Sequence, residues 1–442
     1  RPHPMRMIFR YLRPFVPRMS LGLTIKFIGS VMDLLLPWIL SYMIDEVAPS
    51  GEMGRIALWG AAMVGAAVMA WVTNILANRM AAWVAQHTTE KIRHDLFEKI
   101  SGLSCGQVDA YGIPSLEARL TTDTYNVHQM LGMMQRIGIR APILLIGGIL
   151  ITLTLDPVLT LVLVCTLPFI GILVYSVSKK GVPMYTELQR SVDGMVRTVR
   201  ETISGIRVIK ALSKVGYERE RFAGVNEGVS EKETRAGTTM ALTNPLMNLF
   251  LNVGLTAVII VGAFRVNAGL TQPGKIIAFL SYFTIILNAM MAMTRIFVSF
   301  SRSSASGDRI AEILSAPKDL AVEPAEREDS PYHVEFEKVT FSYNKTAANV
   351  EDISFRLKRG ETLGIIGATG CGKSTLINLL MRLYDCDSGR IAIDGRPVSS
   401  LPEEELHTKF GVVFQNYALF ADPLRENIDF GRGLSEAEIE KA

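Results

Sequence analysis

Cysteine is scarce in this chain, with four in 442 residues. A disulfide-stapled scaffold is therefore excluded. No His/Cys cluster has metal-ligand spacing. Charge is also short. Asp, Glu, Lys and Arg together make up 20% of the chain, below the ~25% usual for soluble domains. The net charge of +3 is too small for a nucleic-acid surface, and no nucleic-acid partner is expected. Hydrophobic residues make up 49%, which excludes intrinsic disorder. No guanine-specific Asn-Lys-x-Asp string occurs, so a simple GTPase is not indicated.

The charge that is present is unevenly placed. Residues 331–442 hold 13 Lys+Arg against 17 Asp+Glu, whereas residues 1–330 carry a net positive charge and long uncharged runs. A bilayer-spanning helix needs ~20 mostly apolar residues. Ile56–Asn78, Pro157–Ser178, Ala236–Phe264 and Ile276–Thr294 carry no charge, and Ala141–Leu155 extends back towards Ile137. Met19–Ile44 is apolar except for Lys26 and Asp33. Six spans are expected. The first is too long for a cleaved signal peptide and lacks a small-residue cleavage site.

Lys and Arg in the flanks set orientation. Arg1, Arg6, Arg10, Arg13 and Arg18 precede the first span without an acid. Stretches 79–140 and 179–235 carry seven and twelve basic residues. Both termini and these two connections are expected in the cytoplasm, with the chain in a bacterial inner or plasma membrane. Ile92, Leu96 and Ile100 recur at helical spacing, as do Val199, Ile203 and Ile206. The spans should continue beyond the bilayer as helices, turning near Asp109–Leu116 and Val215–Phe222. Lys26 and Asp33, seven apart, share a helix face and read as a polar cavity wall, as partners of neighbouring helices, or with Lys26 snorkelling to the cytoplasmic surface. Asn244, Asn248 and Asn252 form an i, i+4, i+8 ladder suited to interhelical hydrogen bonds, with substrate contact as the alternative. Met290, Met291 and Met293 read as packing, with adaptable apolar contact to varied ligands as the alternative.

Pro317–Pro331, acidic and with three prolines, reads as a linker. Strands are expected over His333–Phe341, Ile353–Leu357 and Thr362–Ile366, the last short and buried. Gly367-Ala-Thr369-Gly370-Cys371-Gly372-Lys373-Ser374 then fits G-x-x-x-x-G-K-[ST] without a mismatch. Glycines let backbone N–H groups face phosphate oxygens, and the following helix adds its positive end. Lys373 suits the β- and γ-phosphates, and Ser374 offers a hydroxyl to Mg²⁺. Thr375 follows at the first turn.

With these motifs the chain resembles the ATP-binding cassette (ABC) transporters, specifically half-transporters of the exporter type. Six spans with long helical connections match, as do Ala118-Arg-Leu-Thr-Thr-Asp123 and Glu201-Thr-Ile-Ser-Gly-Ile-Arg-Val-Ile-Lys-Ala211. The resemblance implies a membrane α-helical bundle over 1–316, a linker over 317–331 and an α/β P-loop nucleotide-binding domain over 332–442. It assigns Tyr343, in Phe341-Ser-Tyr343, to the adenine of ATP. It assigns Gln415, in Gly411-Val-Val-Phe-Gln415, to Mg²⁺ and to relaying nucleotide state. Leu419-Phe420 and Arg425-Glu-Asn-Ile428 fit the same cassette. Two departures stand out: Cys371 replaces the usual serine or alanine, and Ala421-Asp-Pro423 replaces a small-residue and threonine stretch.

The resemblance further implies an LSGGQ-like signature, a Walker B strand ending in Asp-Glu and a switch histidine, none of which occurs in these 442 residues. The chain is therefore read as part of a longer one, unable as it stands to turn over ATP. The implied function is ATP-driven solute transport by a dimer with a second half-transporter, identical or different, in a lipid bilayer. Two cassettes would close on two ATP molecules, and the turns near 109–116 and 215–222 would dock into them. Alternatives are an importer with the same fold, for a bulky solute such as a siderophore, and a regulatory or channel subunit with a degenerate ATP site.

Overall fold

Apolar runs of this length become helices because a helix satisfies its own backbone hydrogen bonds where no water can. The computed structural model describes residues 4–317, 320–415 and 419–442, with backbone only for residues 4, 5, 174, 178, 182, 243, 244, 294, 297, 298 and 301. Six helical segments are long and apolar enough to cross a membrane: Arg6–Ser50, Met53–Ser101, Ile113–Leu155, Pro157–Ser204, Val215–Asn267 and Pro273–Met293. The chain divides into two compact units, Arg1–Leu96 with Arg119–Leu314, and Phe97–Ala118 with Ser315–Ala442.

The chain begins with α1 (Pro4–Leu12), α2 (Val16–Tyr42) and α3 (Met53–Ser101), followed by the short α4 (Cys105–Tyr111) and α5 (Ile113–Ala118). Then come α6 (Thr124–Leu155), α7 (Pro157–Ser204), α8 (Ile206–Ala211), α9 (Val215–Ala241), α10 (Thr243–Asn267) and α11 (Pro273–Leu314). In the first unit, Leu34, Leu159, Leu163, Phe279, Tyr282, Phe283 and Ile286 form the buried centre of the bundle. Small residues bring helices close, as usual in membranes: a Cβ on Gly148 would lie 2.8 Å from Ile286 Cγ1.

Several buried polar groups in this unit are paired across helices. Asp156, 3% exposed, caps α7 by accepting from the Val158 and Leu159 amides at 2.9 and 3.2 Å. It also takes Arg265 Nε at 3.0 Å. The Tyr282 hydroxyl donates to the Leu34 carbonyl at 2.6 Å. Asp33 accepts from Arg140 at 2.9 Å, the interhelical partner reading of that residue. Asn252 Nδ2 donates to the Asn248 carbonyl within its own helix at 2.8 Å. The Asn244 side chain lies outside the described residues.

The turn in the second long connection falls earlier than the expected Val215–Phe222. Val215 opens α9, and the reversal lies at Leu212–Lys214, where Ser213 takes a φ of +54°. The apolar spacing of Ile203, Ile206 and Ile209 continues through α8, so periodicity alone does not mark the break at Gly205, the C-cap of α7.

In the second unit, β1 (Val334–Phe341) and β2 (Val350–Leu357) precede α12 (Lys373–Leu380), β3 (Ser388–Ile393) and β4 (Arg396–Pro397). The sheet is antiparallel in the order β2-β1-β3-β4, with Phe336 opposite Phe355 and Ile391. Phe336, Val339, Leu379, Ile391, Ile393, Leu401 and Leu406 form its core. Three short helices follow: α13 (Glu403–His407), α14 (Leu424–Asp429) and α15 (Glu436–Lys441).

The expected strand over Thr362–Ile366 does not form. Residues 361–368 carry no regular structure, and Ile366 is 98% exposed. An all-apolar strand persists only where neighbours pair its backbone and cover its faces, and no described strand does so here.

Candidate nucleotide-binding site

The glycine-rich loop delivers directly into α12. Gly370 and Gly372 hold φ values of +89° and +93°, a region open to glycine and costly for other residues. Gly372 has a second reason to be glycine: an added Cβ would lie 2.5 Å from Val350 Cγ1 and 2.8 Å from the Asn349 carbonyl oxygen. At Gly370 a Cβ would meet nothing within 4 Å. One glycine shapes the loop, and the other also lets it approach the start of β2.

Lys373 opens α12, with Ser374 and Thr375 in its first turn. The first N–H groups of a helix have no intrahelical acceptor. The Lys373 ammonium folds over the loop, donating to the Gly367 and Ala368 carbonyls at 2.9 and 2.8 Å. Cys371 is exposed, its Sγ 3.8 Å from Lys373 Nζ. From Gly367 to Thr375 there is one ammonium and no carboxylate. That donor set fits a polyphosphate. The Ser374 hydroxyl fits as one ligand to Mg²⁺.

Tyr343 comes to the same helix from beyond β1. Asn378 Nδ2 donates to its hydroxyl at 3.2 Å, and the hydroxyl lies 3.5 Å from Thr375 Oγ1. Its ring packs edge-on against Phe341 and Tyr384, with centroids 4.8 and 5.0 Å away. Tyr343 remains 39% exposed, so it keeps an open surface while its hydroxyl is tied to α12. Gln415 is exposed at the end of an irregular segment, and among the described residues no hydrogen bond joins it to the loop. The loop, Lys373, Ser374, Thr375 and Tyr343 are thus gathered around one helix terminus, and Gln415 is not bonded to them.

Asn378 and Tyr384 were not singled out from the sequence. Asn378 carried a signal: it is the one polar residue in the apolar stretch Leu376–Leu380 and lies i+3 from Thr375. Tyr384 carried none. Its hydroxyl donates to Asp109 on α4 at 2.6 Å. Burial first, and then this hydrogen bond, holds the phenol above the ordinary tyrosine range. Burial also pushes up the Cys105 thiol on the same helix, with the Asp109 charge adding to it. A cavity of about 520 Å³ lies beside these groups, with Asp109, Asp385 and Asp387 in its lining. Tyr343 and Lys345 also line it, and the glycine-rich loop does not.

Residues 19–290 match the family model described as ABC transporter transmembrane region. Residues 350–442 match the one described as ABC transporter. An uncharacterized ABC transporter ATP-binding protein of Bacillus subtilis, YfiB, is 31% identical over 97% of this chain and 75% of its own length. A counterpart in Mycobacterium tuberculosis, also named as an uncharacterized ABC transporter ATP-binding protein, is 30% identical over 98% of this chain and 75% of itself. The fatty acid ABC transporter ATP-binding/permease protein of the same organism is 28% identical over 85% of this chain and 59% of itself.

Proposed function

The chain belongs to the ABC transporter family, as a half-transporter of the exporter type, and on that footing we propose that it couples ATP to export of a solute through a dimeric transporter. It is a multi-pass membrane protein with a membrane domain and an ATP-binding domain. The proposed boundaries are 1–316 for the membrane domain, 317–331 for the linker and 332–442 for the nucleotide-binding portion, with both termini in the cytoplasm of a bacterial cell.

The observation that carries the reading is Lys373 at the start of α12, its ammonium poised over a loop of two positive-φ glycines. The loop amides and the ammonium bind and orient the phosphates, neutralising charge where it develops. Ser374 presents its hydroxyl to Mg²⁺, which supplies further charge neutralisation when bound. Tyr343 offers its exposed ring face to the base. Gln415 is assigned to the Mg²⁺ side. The hydrogen bond from Tyr384 to Asp109 supports a mechanical role for α4, which would carry changes around α12 towards the membrane helices in alternating access.

The test is photolabelling with an azido-ATP analogue, together with ATP-driven uptake of a fluorescent cargo into inverted vesicles. Lys373→Ala should lose both labelling and uptake, and Tyr343→Ala should weaken labelling. Full uptake by a dimer in which both subunits carry Lys373→Ala would sink the assignment.

A further inference from the structure

The first unit contains a cavity of about 540 Å³ whose polar lining is entirely cationic or amide: Lys26, Asn78, Arg136, Arg140, Asn288 and Arg295. No carboxylate lines it. The rest of its wall is apolar, with Leu144 and Ile285 among the side chains. Lys26 does not snorkel to solvent: it is 3% exposed and donates to Asn74 and Asn78 at 2.8 and 3.0 Å. Both partners are neutral, so its charge is left uncompensated by them. Arg140 is bonded to Asp33, yet its Nε is buried without an acceptor. Arg136 Nε is taken by the Gly132 carbonyl of its own helix.

A charge within a span, as Lys26 is, is costly and marks a functional site by default. Four cations around one cavity repel each other, and Asp33 offsets one of them. Their places along the chain agree on depth. Lys26 is near the start of its span, Asn78 ends the second, Arg140 directly precedes the third and Arg295 directly follows the last. In an up-down bundle these four positions lie towards one membrane face.

We propose that this cavity binds an anionic oxygen group, a carboxylate or phosphate, carried on an apolar body, and that this is the chemical class of the transported solute. The anion would sit between Lys26, Arg140 and Arg295, and the apolar body would lie against Leu144 and Ile285. This rests on the transporter reading above.

The test uses the chain in phosphatidylcholine nanodiscs, with equilibrium binding of isotope-labelled laurate corrected for empty nanodiscs. Laurate should bind saturably, and dodecanol should compete at least about tenfold less well. Hydrogen bonds to charged groups are worth enough that Lys26→Gln and Arg140→Gln should each weaken laurate about tenfold, with Lys26→Arg largely retaining it. Arg295→Gln, at an exposed position, gives the same reading without risk to folding. Dodecanol competing equally, or laurate binding unchanged in all three charge-removing variants, would overturn the proposal. Inclusion of phosphatidylglycerol separates cargo from lipid: if it abolishes laurate binding, the occupant is a lipid headgroup and the cargo assignment fails. A fluorescent ATP analogue measured on the same samples reads the cassette. Intact ATP binding with no laurate site sinks this inference alone, whereas loss of ATP-driven uptake in the unmodified transporter sinks the function it rests on.

Discussion

Replacing Gly372 by alanine tests whether the loop is built as described, because Gly370 provides a matched reference. The two φ values differ by only a few degrees, +93° and +89°. An alanine at either position carries a similar backbone penalty, ~1–2 kcal/mol. At Gly370 nothing adds to it, since a Cβ there meets nothing within 4 Å. At Gly372 the Cβ meets Val350 Cγ1 at 2.5 Å and the Asn349 carbonyl at 2.8 Å. The valine methyl can shift. The carbonyl belongs to backbone held by the Asn349 amide's bond to the Phe341 carbonyl at 2.8 Å. Overpacking of this kind costs a further ~1–3 kcal/mol. With tenfold per ~1.4 kcal/mol, Gly370→Ala should weaken nucleotide about fivefold to thirtyfold, and Gly372→Ala by a further factor of about five to about 140. Titration of a fluorescent ATP analogue into the purified chain reads both. Equal losses in the two variants would refute the close approach of loop to β2, and no loss in either would refute the loop geometry itself.

Three further outcomes follow from particular contacts. Tyr384 has its phenol held above the usual range by burial and by Asp109; the unfolded phenol ionises first, so stability is fully present below pH ~10 and falls as pH rises beyond it. Tyr384→Phe should flatten that alkaline slope in thermal unfolding followed from pH 8 to 11, and an unchanged slope would discount the contact. Asp394 has its carboxyl lowered by the hydrogen bond from His333, so its contribution is present above the usual Asp range and lost as pH falls through it; Asp394→Asn should reduce acid sensitivity between pH 5 and 3 in circular dichroism. Asp156→Asn breaks a buried pair with Arg265, a loss of ~3 kcal/mol that should lower the thermal denaturation midpoint in detergent, whereas Thr154→Ala on the exposed side of the same turn should not.

The candidate nucleotide site was legible in the sequence to the extent that its chemistry is local. Gly367 through Thr375 are consecutive, and a helix start gathers them without help from distant residues. Tyr343 was found through spacing in a resembling family, but its bonds to α12 needed β1 to pack on that helix. Gln415 was read the same way, and no described hydrogen bond links it to the loop. The apolar run Thr362–Ile366 shows the limit of pattern reading. Its composition matches a buried strand, but a strand is a property of paired backbones, and no described neighbour pairs with it. The spans were legible because bilayer thickness sets helix length, and each run carries that information by itself.

What the sequence by itself determined was therefore whatever a single segment encodes: six apolar helices, their asymmetry of basic flanks, and a phosphate loop whose glycines and lysine must be adjacent to act. The tertiary structure decided which distant residues meet. Lys26 stood out in its own span, but nothing in the chain order joins it to Arg136, Arg140 and Arg295, or Tyr384 to Asp109. Those pairings depend on helix rotation and on which faces pack together. Small residues such as Gly148 against Ile286 set those packings, and a local hydrophobic pattern does not specify which partner each face will find.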